Sequence, residues 1–195
     1  FQMVEEAGVY DYFDKTPPRE SEKEYLRYSE KYDLPILAGG WFYVLGRDDE
    51  LLLENLRLGG RLGSLVHNTQ IIMDHADGSL VRDEQVAEIY LKAYETGEET
   101  NCRPTFEVHV NMWSEDFRRV EKVADLVERR GIPFNMTLDH SHVIFKIDNP
   151  REQEVFGIHE SIEKGDLVLD PFQKDHICGK WIHRGFVMHC HARAA

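Results

Sequence analysis

Three apolar runs in the second half of the chain each carry residues able to hold a proton or a cation. They read TFEVHVN (105–111), FNMTLDHSH (134–142) and FVMHCHAR (186–193). Along a β-strand the side chains at i, i+2 and i+4 share a face. That period puts Glu107, His109 and Asn111 on one face of the first run. It does the same for Asn135, Thr137 and Asp139 in the second, and for His189, His191 and Arg193 in the third. One Glu, one Asp and one His supply two hard anionic oxygens and one borderline nitrogen. Such a set suits a divalent ion, Mn²⁺, Mg²⁺, Co²⁺ or Zn²⁺, and fits thiolate-preferring ions poorly. The pattern does not choose between His189 and His191.

Each residue also has a plainer reading. Glu107 could pair with Arg103, Asp139 could cap whatever follows it, and the two histidines could bond backbone carbonyls in a core. Their joint occurrence at equivalent strand ends favours a site. Parity turns His140 away from it, and His142 reaches it only if the chain turns at Ser141. His75, in MDHADG, ends another apolar run and could line the same mouth. Trp41, in AGGWF, could form an apolar wall for a ligand or be a core tryptophan. His67, His159, His176 and His183 read as surface or loop residues.

Short apolar runs begin near residues 9, 34, 69, 104, 132 and 186, and amphipathic stretches separate them at 19–33, 48–63, 83–97 and 114–131. Val86, Ile89, Tyr90 and Ala93 fall at i, i+3, i+4 and i+7, one face of a helix. Phe117, Val120, Ala124 and Val127 make a similar stripe, with Ser114 placed to cap and Gly131 to stop. Asn149-Pro150 with Glu152 resembles a capping box with Pro at the first helical position. Repeated βα units imply a parallel sheet, either open and doubly wound or closed as a (β/α)8 TIM barrel. No GxGxxG or GxxxxGK[ST] follows any strand, and GGRLG (59–63) reads as a helix C-terminus, so the barrel is favoured. In a barrel the polar rows converge at the C-terminal face. Eight such units usually need ~250 residues, so 1–195 is expected to be one incomplete barrel domain, part of a longer chain, with the first and last strands not visible.

The net charge of −13 opposes nucleic acid and anionic membranes as partners, because both need a cationic footprint. No apolar run approaches the ~18 residues needed to span a bilayer. Cys102, Cys178 and Cys190 are odd in number and lack CxxC spacing, which suggests free thiols and a cytoplasmic location.

The order of Glu107 in TFEVHVN, then Asp139-His140-Ser141-His142, then His191-Ala192-Arg193-Ala194 resembles the sugar isomerase and epimerase family of xylose isomerase-like barrels. That family has a metal-binding Glu on strand five, Asp-x-x-His at the end of strand six, and His-hydrophobic-Lys/Arg-Asp on strand seven. Ala194 stands where the family has the acidic residue, so His189 remains the alternative ligand. The resemblance implies a proton shuttle beside a carbonyl: a divalent ion, Glu107 as both ligand and base, Asp139 and a strand-seven His as ligands, and His142 contacting a small carbohydrate. His109, His75, Trp41 and Arg193 are further candidates for substrate contact. The family's second catalytic Glu, on strand eight, has no counterpart here. Barrels of this kind often pair, which suggests a homo-oligomer. Two other readings compete. His-x-His on a strand also marks metal-dependent hydrolases of the amidohydrolase type, although there it lies on the first strand. A non-catalytic sugar-binding barrel would need no second Glu.

Overall fold

Strands form where β-branched and aromatic residues run together between turn residues. The structure, a computed structural model, describes residues 1–192. Among these the apolar runs become β1 (Phe13–Asp14), β2 (Ile36–Tyr43), β3 (Val66–Ile71), β4 (Arg103–Glu107), β5 (Met136–Asp139) and β6 (Val187–His191). A short helix, α1 (Gln2–Ala7), precedes β1, and the four amphipathic stretches become α2 (Glu22–Lys31), α3 (Asp49–Leu62), α4 (Asp83–Thr100) and α5 (Arg118–Glu128). Four short helices link β5 to β6: α6 (Ser141–Ile144), α7 (Pro150–Glu154), α8 (His159–Glu163) and α9 (Ile177–His183).

All neighbouring strands pair parallel, in the order β1-β2-β3-β4-β5-β6. This corrects the expected (β/α)8 barrel. A closed barrel needs eight strands and a ladder between the first and the last. Among the described residues there are six strands, and β1 and β6 are each paired on one side only. The βα period dictates parallel, sequential pairing; it does not dictate closure. The sheet is nevertheless strongly curled. Five interstrand spacings in a flat sheet would hold β1 and β6 ~24 Å apart, yet His191 of β6 lies 3.5 Å from Asp14 of β1.

The convex face is apolar. Tyr43, Ile71, Phe106, Met136 and Leu138 point outward into one core with Leu52 and Leu56 of α3, Val86, Tyr90 and Ala93 of α4, and Val120, Ala124 and Val127 of α5. Phe106 meets the Tyr90 ring edge-on, with centroids 5.0 Å apart. Trp181 and Phe186 bring the end of the β5–β6 connection into the same core. With Phe106 and Leu138 committed outward, the neighbours Glu107, Thr137 and Asp139 must point to the concave side. Packing of the outer layer therefore aims the polar row.

Several local expectations need correction. Ser114 does not cap α5, which begins at Arg118 after a separate turn. Its hydroxyl instead donates to the Glu107 carbonyl at 2.6 Å and accepts from the His109 amide at 3.2 Å. Pro150 does open α7, but the Asn149 side chain donates back to the Phe145 carbonyl and makes no cap. His67 is a core residue with 1% of its surface exposed. Its Nε2 lies 2.6 Å from the Tyr43 hydroxyl, which also accepts from Asn55 of α3 at 2.8 Å. Burial pushes the His67 pKa down to about 4, so the ring is neutral. Strand alternation explains it: Asn68 points into the concave face, so His67 points out beneath α3. No helix among the described residues is long and apolar enough to cross a membrane.

Candidate metal centre on the concave face

Glu107 is the centre of the concave face and has no exposed surface. The pairing with Arg103 does not occur; that guanidinium bonds the Tyr94 hydroxyl and Glu98 instead. Oε2 of Glu107 accepts from Asn68 Nδ2 at 2.7 Å and from the Gln70 side-chain amide. Oε1 lies 3.0 Å from Nδ1 of His191. Burial alone would push this carboxyl up, but the bonds from His191, Gln70 and Asn68 outweigh it and hold the pKa below the ordinary glutamate value. The carboxylate is thus ionised within a shell of amide and imidazole donors.

Asp139 satisfies both of its sequence readings, one with each oxygen. Oδ1 caps the following turn, accepting from the Ser141 amide at 3.1 Å and its hydroxyl at 2.5 Å. Oδ2 faces the imidazoles, 3.5 Å from His142 Nε2 and 3.8 Å from His191 Nδ1. The chain does turn at Ser141, into α6, and this carries His142 to the cluster.

His191 sits between carboxylates, with Nδ1 toward Glu107 and Asp139 and Nε2 toward Asp14. Hydrogen bonding to Asp14 and then to Glu107 raises its pKa to about 10, and the same contact lowers that of Asp14. His189 lies one row lower. Its Nδ1 is 3.4 Å from the Thr137 hydroxyl and its Nε2 is 4.0 Å from Asp14. Burial and the neighbouring His191 lower its pKa.

His109, just beyond β4, packs against His142 with ring centroids 4.0 Å apart and planes tilted by 46°, and the Phe42 ring meets it edge-on at 6.2 Å. Its Nδ1 lies 2.7 Å from the Val110 carbonyl. A carbonyl oxygen only accepts, so Nδ1 carries a proton, and any lone pair this ring offers lies at Nε2. Behind these two histidines a buried ion pair joins their loops. Lys146 Nζ bonds Glu115 Oε1 at 2.9 Å, and Oε2 of Glu115 accepts from the Asn111 amide at 2.5 Å. Asn111 sits at φ 62°, where the chain reverses after the strand.

Other expected members lie elsewhere. His75 pairs with Asp77 at 3.1 Å and lines a separate cavity of about 120 Å³ with Gly46, Asp49, Gln85 and Lys92. Trp41 points to the convex side, into a cavity of about 340 Å³ against Leu51, Asn55 and Leu58 of α3. The aromatic on the cluster's own side is its neighbour Phe42. Arg193 lies outside the described residues. Four contributors were missed from sequence: Asp14, Asn68, Gln70 and Phe42. The alternation in VHNTQI already puts Asn68 and Gln70 on one face, and Asp14 ends an apolar run as Asp139 does.

Among the described residues three overlapping groups of side chains could hold a metal ion: Glu107, Asp139 and His191; Glu107, His109 and His142; and Asp14, His189 and His191. Within each, the donor atoms lie within 4.8 Å of one another. The carboxylate and imidazole donors in these groups suit a hard or borderline divalent cation. No protein-family model matches the chain, and no curated protein matches it.

Proposed function

We propose that the protein is a divalent-cation-dependent isomerase or epimerase of small carbohydrates or polyols, acting by proton transfer next to a carbonyl. The observation that carries this reading is Glu107, a fully buried, ionised carboxylate within reach of both Asp139 and His191. Glu107, Asp139 and His191 are the residues that would hold the cation, Mn²⁺, Mg²⁺, Co²⁺ or Zn²⁺, which would have to displace the proton that Asp14 and Glu107 otherwise hold on His191. Such an ion supplies Lewis-acid polarisation of a substrate carbonyl. Glu107 takes the proton from the adjacent carbon. The Asn68 and Gln70 amides hold its carboxylate in one orientation, so little reorganisation accompanies the transfer. His142 donates to a substrate oxygen, and Phe42 with His109 walls the mouth.

The test is exchange of the substrate's α-hydrogen with solvent deuterium, followed by NMR over a panel of aldoses and ketoses. Exchange is expected with divalent cation present and lost with chelator. Glu107→Gln should cut it by ~10²–10⁴-fold, the usual worth of a positioned general base. A protein that neither holds nor takes up a divalent cation would sink this reading.

The group of Asp14, His189 and His191 supports a second one, a metal-dependent hydrolase of the amidohydrolase type. In that case Zn²⁺-dependent hydrolysis would survive Glu107→Gln.

A further inference from the structure

We infer that the cavity between α3, Trp41 of β2 and the segment after β1 is a binding site for a small aromatic carboxylate. It is separate from the cation cluster, because strand alternation puts the two on opposite faces of the sheet. Asp14 reaches His191 and Phe42 meets His109, whereas their chain neighbours Lys15 and Trp41 line the cavity. At about 340 Å³ the cavity lies at the small end of the ~300–1,000 Å³ typical of ligand sites, with room for one or two fused rings. Its walls are the Trp41 indole, the rings of Pro17 and Pro18, and the side chains of Leu51 and Leu58. Trp41 and Leu51 remain 48% and 40% exposed, so apolar area here stays in water until a ligand covers it. A flat ring laid on an indole gains ring–ring attraction beyond the area it covers, and an aliphatic chain does not.

The walls are fixed before any ligand arrives. Each proline ring locks its own backbone φ. Just ahead of them the Lys15 amide donates to the Ala38 carbonyl at 2.9 Å. Thr16 lies so close over Gly39 that a Cβ there would fall 2.5 Å from its hydroxyl oxygen. On the opposite wall Asn55 Nδ2 donates to the Tyr43 hydroxyl at 2.8 Å, and Leu58 packs with Ile36 and Leu62. A cavity held in this way spares a ligand the cost of ordering its surroundings.

The rim chooses the charge. Arg19 is matched by Glu54 at 3.5 Å, whereas Lys15 has no ion pair among the described residues. In a chain of net charge −13 this mouth therefore carries two cations to one carboxylate. One unmatched ammonium suits one negative charge, which a carboxylate brings; a phosphate monoester brings nearly two near neutral pH.

The experiment is isothermal titration calorimetry of the full chain with naphthoate, its neutral counterpart naphthamide, and octanoate. Naphthoate is expected to bind at one per chain, more tightly than the other two, and equally well with and without chelator. Trp41→Ala should weaken it by ~10-fold or more through lost ring contact and covered area. Lys15→Met should weaken naphthoate by ~2–5-fold, the worth of an exposed ion pair, and leave naphthamide unchanged. Both side chains are exposed, so the variants should stay folded, which circular dichroism verifies. No naphthoate binding at millimolar concentration overturns the inference. Naphthamide or octanoate binding as tightly overturns the ligand class. Affinity that survives Trp41→Ala, or is lost in Phe42→Ala or with chelator, puts the ligand elsewhere and also overturns it. None of these outcomes bears on the proposed isomerase, which stands or falls on its own exchange and metal-binding tests.

Discussion

His67 is an imidazole in a place that tolerates no charge. Its unfolded form takes up a proton as pH falls through its ordinary value of 6.5, whereas the buried ring resists until about 4. The folded state thus binds fewer protons across that window, and stability is lost as pH falls from 6.5 toward 4. A difference of ~2.5 units corresponds to at most ~3 kcal/mol. His67→Asn should flatten this slope in urea denaturation at pH 7 and pH 4.5, even if it lowers stability at pH 7. An unchanged slope would show that another group sets the acid side. On the concave face, Asp139 spends one oxygen on the Ser141 turn and keeps the other toward His142 and His191. Ser141→Ala keeps the capped amide but removes one short hydrogen bond to a carboxylate, and is expected to cost ~1.5–3 kcal/mol, measured by thermal unfolding.

At the scale of elements, the outer layer sets strand facing and the loops beyond the strands complete the cluster. Lys146 and Glu115 are 1% and 4% exposed, and they tie the loop after β4 to that after β5. Removing one partner leaves a buried charge, so Lys146→Met should destabilise by ~3–5 kcal/mol. The double change Lys146→Met with Glu115→Met should recover much of that loss. Chemical denaturation of the set checks it, and a cost below about 1 kcal/mol for the single change would refute a structural role. Between α3 and α4 the contact is closer still. A Cβ on Gly60 would lie 2.5 Å from the Thr100 carbonyl oxygen, so Gly60→Ala forces a backbone shift despite the better helix propensity of alanine. A net loss of ~1–3 kcal/mol is expected. GGRLG is thus explained by packing, together with Gly63 ending α3 at φ 86°.

For the molecule as a whole, the cluster stitches together strands far apart in order. Asp14 comes from β1, Glu107 from β4, Asp139 from β5 and His191 from β6. A cation held there binds the curled sheet and not the unfolded chain, so it must stabilise the fold. At 100-fold excess over the dissociation constant the gain is ~2.7 kcal/mol, or roughly 5–10 °C in melting temperature for a chain of this length. Differential scanning fluorimetry with Mn²⁺ or Co²⁺, reversed by chelator, measures it. The shift should shrink sharply in Asp139→Asn.

Local pattern was enough for part of this. Six apolar runs became six strands, and period-two alternation already put Glu107 on one face with His109, and Asp139 on one face with Thr137. These properties follow from bonds between near neighbours, so a single sequence states them. The long-range outcomes were not legible. Nothing in the βα period tells whether a parallel sheet closes, because closure depends on how the terminal strands meet. Nor does spacing reveal that Asp14 lies against His191, that Phe42 rather than Trp41 faces the cluster, or that His67 lies under α3. Each was decided by the curl of the sheet and the outer helices, which choose the face on which every alternating residue falls.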